Sequence, residues 1–248
     1  MPDGSGYQPE TYGDRIAAIY DQLYTASLQP DMIDRLERLS DGGPALELGI
    51  GTGRVALPLP ERGIAVTGID ASEGMLAELR AKPGGADIPV HVGDFASFEI
   101  EQRFRLIYVV FNTFFALLTQ EEQLRCFESV VAHLEEGGLF ALELFVPDVS
   151  RYANGNQDLR VADLGLDTLR IDATSHDPVQ QLVHSQHLIV INNELQLYPV
   201  QLRYVWPAEL DLMARLAGME RRHRWSDWDA SPFGPRSEKH ISVYARPS

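Results

Sequence analysis

Three glycines, Gly49, Gly51 and Gly53, follow the apolar run Ala45 to Leu48; one acid, Glu47, lies inside that run and another, Asp70, about twenty residues further on. Glycine at this spacing lets the chain turn sharply after a strand and lets a ligand lie against main chain with no Cβ in the way. A helix beginning at the turn would aim its first N–H groups at that ligand. Asp70, closing a second apolar run, is placed to accept both hydroxyls of a ribose. The chemistry these residues serve is retention of an adenosine-containing cofactor. A dinucleotide is disfavoured, because the turn reads G-x-G-x-G and lacks the G-x-x-G step that seats a pyrophosphate on a helix end. Glu47 would repel phosphates yet accept hydrogen bonds from a ligand ammonium, directly or through water. That sign of charge favours a cofactor with an amino-acid tail.

Elements that would position these residues follow from hydrophobic spacing. Strands are expected at Ala45–Leu48, Ile64–Ile69, Pro89–Val92, Leu106–Phe111 and Leu139–Phe145, with helices at Arg54–Glu61, Ser72–Ala81 and Gln120–Leu134. Strand–helix alternation implies a parallel sheet wrapped on both faces. In the last helix Thr119 and Glu122 form a capping box, and Gly137-Gly138 would close the end. Residues 11 to 40 read as two helices, the second stopping at Gly42-Gly43, and the tyrosines of the first fall largely on one stripe. After Pro147 the chain turns β-branched, with turn signals at Asp177-Pro178 and Asn192-Asn193, which predicts an antiparallel excursion over about 150 to 206. A helix opened by Pro207 and stopped by Gly218, then strands at Glu220–Ser226 and His240–Ala245, finish the chain.

Composition sets limits. The 248 residues are 44% hydrophobic and 23% charged, enough for a real core, and the formal net charge is −15. Such a balance speaks against a nucleic-acid substrate. No run is long and apolar enough for a membrane span, the first residues lack a signal-peptide pattern, and the single cysteine, Cys126, excludes a disulfide framework. A cytoplasmic protein is expected, with Cys126 as a packing thiol.

The stretch from Ala45 through "ELGIGTGR", "VTGIDASEGML", "VGDFASF" and "FRLIYVVFNTFFALL" to "LFALELFVPD" resembles the class I S-adenosylmethionine-dependent methyltransferases over about residues 44–148. The resemblance implies a Rossmann-like α/β fold: a seven-stranded, mostly parallel sheet with an antiparallel last strand. To this the spacing adds an antiparallel β insertion after the fifth strand and N-terminal helices, the first of which resembles the helical lids of related enzymes. Three parts are expected: residues 1–43 as the lid, 44–148 with 207–248 as the S-adenosyl-L-methionine-binding domain, and 149–206 as the insertion shaping a substrate pocket. By resemblance Glu47, Gly49 and Gly51 contact the methionine part, Asp70 the ribose, Met75 and Phe95 the adenine, and Asp94 its amino group. Phe111 and Asn112 would sit near the methyl, and Gly53, Ala71 and Gly93 complete the set. Tyr12 and Tyr20, on a segment similar to the lids of related enzymes, would line the methyl site.

The acceptor is less defined. A hydroxyl needs a base, whereas an amine needs only to be neutral. His184 and His187 lie on opposite faces of one strand, so one of them at most faces a pocket; His176 and His240 are further candidates. Trp225 to Phe233 either wall that pocket or pack elsewhere. The insertion resembles that of amino-sugar N-methyltransferases, but "FNTFFALL" offers Phe115 and Ala116 where those enzymes often place a histidine or tyrosine, which favours a more apolar acceptor. The expectation is metal-independent methylation of N or O, with C third, on a small metabolite of natural-product biosynthesis. A homodimer through the insertion is a candidate assembly. The rivals are a non-catalytic cofactor-binding module and a nicotinamide-dependent oxidoreductase.

Overall fold

Ala45–Leu48 forms β1, buried along its whole length, and the main sheet is built outward from it. The computed structural model describes residues 6–24, 29–153, 155–165, 168–191 and 194–247. In it β1 pairs in parallel with β2 (Val66–Asp70) on one side and β4 (Phe104–Val109) on the other. β3 (Val90–Val92) extends the first edge and β5 (Leu134–Phe145) the second, both in parallel. β11 (Lys239–Ala245), antiparallel to its two neighbours, and β10 (Glu220–Trp225) complete the order β10-β11-β5-β4-β1-β2-β3. The carboxyl ends of β1 to β4 therefore share one edge, where Gly49, Asp70, Asp94 and Asn112 lie, as open α/β sheets place their sites.

Side-chain alternation fills both faces. From β4, Ile107 and Val109 enter a core with Phe127 and Phe140, while Leu106 and Tyr108 enter another with Met32, Leu36 and Ile241. The covering helices are α2 (Pro30–Ser40), α3 (Glu73–Arg80), α4 (Gln120–His133) and α5 (Pro207–Leu216). The capping box of α4 forms as its sequence predicts, Thr119 Oγ1 accepting from Glu122 N and the Glu122 carboxylate from Thr119 N.

Four local expectations are corrected. Residues 54–61 make no α-helix; they run as turns into a 3-10 turn at Pro60–Arg62. Pro58 and Pro60 supply no N–H, which removes the bonds that would carry a helix past its first turn. The second strand starts at Val66 rather than Ile64, and the fourth ends at Val109, because Phe111 and Asn112 turn left-handed with φ of 54° and 67°. β5 begins at Leu134, where the chain pairs with Phe104, so α4 stops before Gly137-Gly138.

After β5 the chain forms a second, antiparallel sheet from β6 (Gln157–Leu164), β7 (Thr168–Asp177), β8 (Leu182–Ile191) and β9 (Glu194–Arg203), in that order. At the Asp177-Pro178 turn, Asp177 Oδ1 accepts from Val179 N and Gln180 N. The Asn192-Asn193 turn lies outside the described residues. One face of this sheet meets α1 (Thr11–Tyr24), where Ile189 and Tyr198 join Ile16, Ala17 and Met75 in a small core. Buried Arg203 anchors the insertion to the main sheet's helices, donating to Gln123 Oε1 of α4 at 2.6 Å and to Glu209 Oε1 of α5 at 2.9 Å.

Candidate active site

A cavity of about 680 Å³ opens at the carboxyl edge of the main sheet, roofed by α1 and walled by the insertion. From the loops after β1, β2 and β3 come Gly49 and Gly51, then Asp70, Ala71 and Met75, then Asp94 and Phe95. Phe111 and Asn112 enter from the tip of β4, Tyr12 and Tyr20 from α1, and His187 from β8. Glu47, Gly53, Gly93 and His184 do not line it. Glu47 precedes the turn by two residues and points instead to its cross-strand partner. Gly53 faces α3, where an added Cβ would meet Leu79 Cδ1 at 2.3 Å. Gly93 pairs its N–H with the Asp70 carbonyl, and His184 lies on the insertion face turned away from α1.

The glycine turn is shaped by contact and by opening. At Gly49, with φ of 73°, a Cβ would lie 2.5 Å from Thr113 Cγ2; at Gly51, with φ of 55°, it would meet nothing within 4 Å. Asp70 ties the turn to β2, its Oδ2 accepting from Gly51 N at 2.7 Å and its Oδ1 from Ser72 N at 2.9 Å. Burial pushes the Asp70 carboxyl up, opposed by those backbone donors. Glu47 is buried beneath the turn, and Tyr108 OH donates to its Oε2 at 3.0 Å. Burial, reinforced by the nearby Asp70 charge and opposed by Tyr108 and Arg54, pushes the Glu47 carboxyl to about 8. In this state it is mostly neutral at pH 7.

α1 is pinned over the turn at two points. Asp14 Oδ1 accepts from Ser72 Oγ at 2.6 Å and from Gly74 N at 3.1 Å, and Asp21 accepts from Thr52 Oγ1 at 2.6 Å and pairs with Lys82 at 2.5 Å. Between α1 and the turn stands Arg54, which sequence reasoning missed although it directly follows the glycines. Its guanidinium lies 4.9 Å from the Tyr20 ring centroid and 4.6 Å from that of Phe111, and it donates to the Tyr24 carbonyl at 2.5 Å. Burial raises the Tyr12 and Tyr20 hydroxyls above their ordinary range, so both stay neutral.

The tip of β4 is held by β5. Glu143 Oε2 accepts from Phe111 N at 3.1 Å and Asn112 Oδ1 from Phe145 N at 2.6 Å, which keeps two consecutive non-glycine residues in the left-handed region. Glu143 also pairs with Lys239 at 3.3 Å, and both line the cavity. Of "FNTFFALL", Phe115 is buried against Phe145, while Ala116 and Leu117 reach the cavity. On the insertion wall, His187 Nδ1 lies 2.5 Å from Asp172 Oδ1. The tryptophan segment is not part of this wall: Trp228 is fully buried, and Trp225 packs under Arg35 and against His223. His176 is buried against Tyr152 and Tyr204, and His240, pushed down to about 3 by burial, lies in the main sheet, so neither lines the cavity. Among the described residues no cluster of three or more His, Cys, Asp or Glu is placed to hold a metal ion, and no helix is long and apolar enough to cross a membrane.

Comparison with known proteins gives consistent results. A family profile described as a methyltransferase domain matches residues 45–138. The cypemycin N-terminal methyltransferase of a Streptomyces species is 30% identical over 206 residues, covering 83% of this chain and 84% of that protein. The CcbJ methyltransferase from Streptomyces caelestis superposes with a TM-score of 0.89 at 36% identity, covering 98% and 100% of the two chains. S-adenosylmethionine-bound CalS10, an amino pentose methyltransferase from Micromonospora echinaspora, shares the fold at a TM-score of 0.68 and 19% identity, over 92% and 96%.

Proposed function

We propose that this chain, which belongs to the S-adenosylmethionine-dependent methyltransferases, methylates a nitrogen of a small natural-product molecule, with oxygen as the second choice of acceptor atom. The observation that carries this is the single cavity joining the glycine turn and Asp70 to the insertion wall. It has room for a cofactor and an acceptor in one space, within the size range of small-molecule sites. When bound, the cofactor supplies a methyl on a cationic sulfonium. The protein's task is then alignment, exclusion of water and management of a proton; alignment alone is worth on the order of 7–11 kcal/mol. Nitrogen is placed first because a relative at 30% identity is an N-terminal methyltransferase.

The residues fit these roles. After accepting from the Gly51, Ser72 and Ala71 amides, the Asp70 carboxylate keeps acceptor capacity for the ribose. Met75 and Phe95 would sandwich the adenine, with Asp94 accepting from its amino group, and Gly49, Gly51 and Ala71 would lie against the methionine part. Glu47 would act from beneath the turn as a charge partner of the ligand ammonium, while Gly53 and Gly93 shape the loops without touching it. Tyr12, Tyr20, Phe111 and Asn112 would surround the methyl, each aromatic face offering roughly 0.5–2 kcal/mol to a cation. Of the two strand histidines only His187 is kept as a candidate for chemistry.

The outer face of the insertion favours a homodimer. Leu159, Val161, Leu195 and Leu197 point away from α1, each more than half exposed, so the alternation of a solvated sheet is inverted there. The acidic charge favours a neutral or cationic metabolite over nucleic acid or a membrane surface, and the cytoplasm is the setting we infer.

Thermal shift and methyl transfer test the proposal together. S-adenosylhomocysteine at 100 times its dissociation constant should add about 2.7 kcal/mol, raising Tm by about 5–10 °C, and NADH should add nothing. Tritium from methyl-labelled cofactor should pass to an amine in a metabolite extract. Stabilisation by NADH, or stabilisation without transfer to any extract, would contradict the proposal.

A further inference from the structure

Asp172 and His187 stand directly opposite each other on β7 and β8, on the insertion face that meets α1. His187 lines the cavity and its Nδ1 lies 2.5 Å from Asp172 Oδ1. Arg170 Nε donates to the same oxygen at 3.2 Å. Burial works to raise the Asp172 carboxyl, but the hydrogen bond and charge of His187, with Arg170, hold it below the usual range. It is therefore ionised and can only accept, so Nδ1 carries the hydrogen and a neutral ring keeps its lone pair on Nε2. A carboxylate that fixes a histidine tautomer in this way also stabilises the imidazolium formed when Nε2 takes a proton. The other titratable or charged groups around the pair are Arg160 of β6, in register with Asp172, Tyr198 of β9, in register with His187, and Tyr12 of α1, whose ring meets His187 edge-on at 6.4 Å. Tyr24 lies under the Arg170 guanidinium at 5.6 Å.

We propose that His187, oriented by Asp172, accepts the proton of the methyl acceptor, and that the acceptor is an aliphatic amine that arrives protonated. This rests on the methyltransferase function proposed above. The proton arithmetic selects the amine: an alkylammonium N–H, near 10.4, is about 5 units more acidic than a water-like O–H, near 15.7, and is the easier proton for a neutral imidazole to take. The N–H bond of the ammonium breaks, its electron pair stays on nitrogen, and the proton moves to Nε2. The freed lone pair forms the N–CH3 bond while the electrons of the broken C–S bond stay on sulfur. The product leaves as a methylated ammonium, and the His187 proton returns to solvent.

The test pairs spectroscopy with kinetics on the full chain. With [15N]histidine labelling and S-adenosylhomocysteine present, His187 should show a protonated Nδ1 and a bare Nε2. Asp172→Asn should abolish that preference and leave His184, on the opposite face, unchanged. With S-adenosylmethionine and two probe amines, an alanyl tetrapeptide and a methyl aminopentoside, Asp172→Asn should lower kcat about 10- to 100-fold and leave the cofactor KM in place. Its acidic limb in the pH profile should move to lower pH, and Asp172→Glu should recover part of the loss. His187→Gln should lose about 10²- to 10⁴-fold. A protonated Nε2, or a His187→Gln enzyme within twofold of wild type across the pH range, would overturn the proposal. Should neither probe be methylated, the tautomer decides alone. A wild-type protein that fails to bind S-adenosylhomocysteine would instead contradict the methyltransferase function itself.

Discussion

Cofactor binding should expel a proton from Glu47. In the ligand-free protein this carboxyl is buried beside Tyr108 and pushed to about 8 from an ordinary 4.5. At pH 7 about nine-tenths of the molecules then carry the proton, and at pH 9 about one-tenth. An ammonium brought to the glycine turn favours the carboxylate, so binding at pH 7 should release about 0.9 proton and at pH 9 about 0.1. Affinity should climb by up to about tenfold per pH unit until pH 8 and then level off. The folded, empty protein holds a proton that the unfolded chain has lost between pH 4.5 and about 8, so its stability should fall as pH rises through that window. The cost reaches on the order of 3 kcal/mol at pH 7. Calorimetry of S-adenosylhomocysteine binding in phosphate and in Tris at one pH reads proton release as the difference between the two enthalpies. Glu47→Gln should remove the release and flatten the stability profile, and 5′-methylthioadenosine, which lacks the amino-acid tail, should release no proton in the wild type. Equal enthalpies in the two buffers at pH 7, or release that survives Glu47→Gln, would refute the placement of Glu47 under the ligand ammonium.

Other expectations follow from contacts already described. Gly49→Ala forces a Cβ against Thr113 in a left-handed conformation; it should cost at least about 1–2 kcal/mol, read as a Tm drop of several degrees, with loss of S-adenosylhomocysteine binding. Asp14→Ala removes the acceptor of Ser72 Oγ and Gly74 N, two bonds of about 0.5–1.5 kcal/mol each, and should raise the dissociation constant for S-adenosylhomocysteine by about 5-fold or more, up to about 150-fold, by loosening α1 over the site. Leu197→Glu on the outer face of the insertion should convert a dimer to a monomer in sedimentation velocity, whereas Leu216→Glu, equally apolar and more exposed but on α5, should not; a wild-type monomer at tens of micromolar would remove the dimer from consideration.

Legibility in the sequence followed the range of the physics involved. β1, its glycine turn and Asp70 could be read because each depends on a few adjacent residues: a buried run, a left-handed bend, an acid at a strand end. The capping box of α4 could be read for the same reason. The stretch after the turn was misjudged because Val55, Ala56, Leu57 and Leu59 have helical spacing, while Pro58 and Pro60 remove the donors that would use it. The hydrogen-bond partner of Glu47 could not be read at all: Tyr108 sits 61 residues away and is brought alongside only by the β1–β4 register. Asp172 and His187 are only 15 residues apart, but their pairing still needs the β7–β8 register set by the turn at Asp177. Tyr12 and His187 meet only once the insertion folds back over α1.

The central claim, that one cavity holds cofactor and acceptor together, is tested most directly by a crystal structure of the S-adenosylhomocysteine complex. The account predicts the ribose on Asp70, the adenine between Met75 and Phe95, and the sulfur turned toward Tyr12 and the space beside His187. A ribose away from Asp70, or a sulfur facing bulk solvent on the far side of the glycine turn, would contradict it.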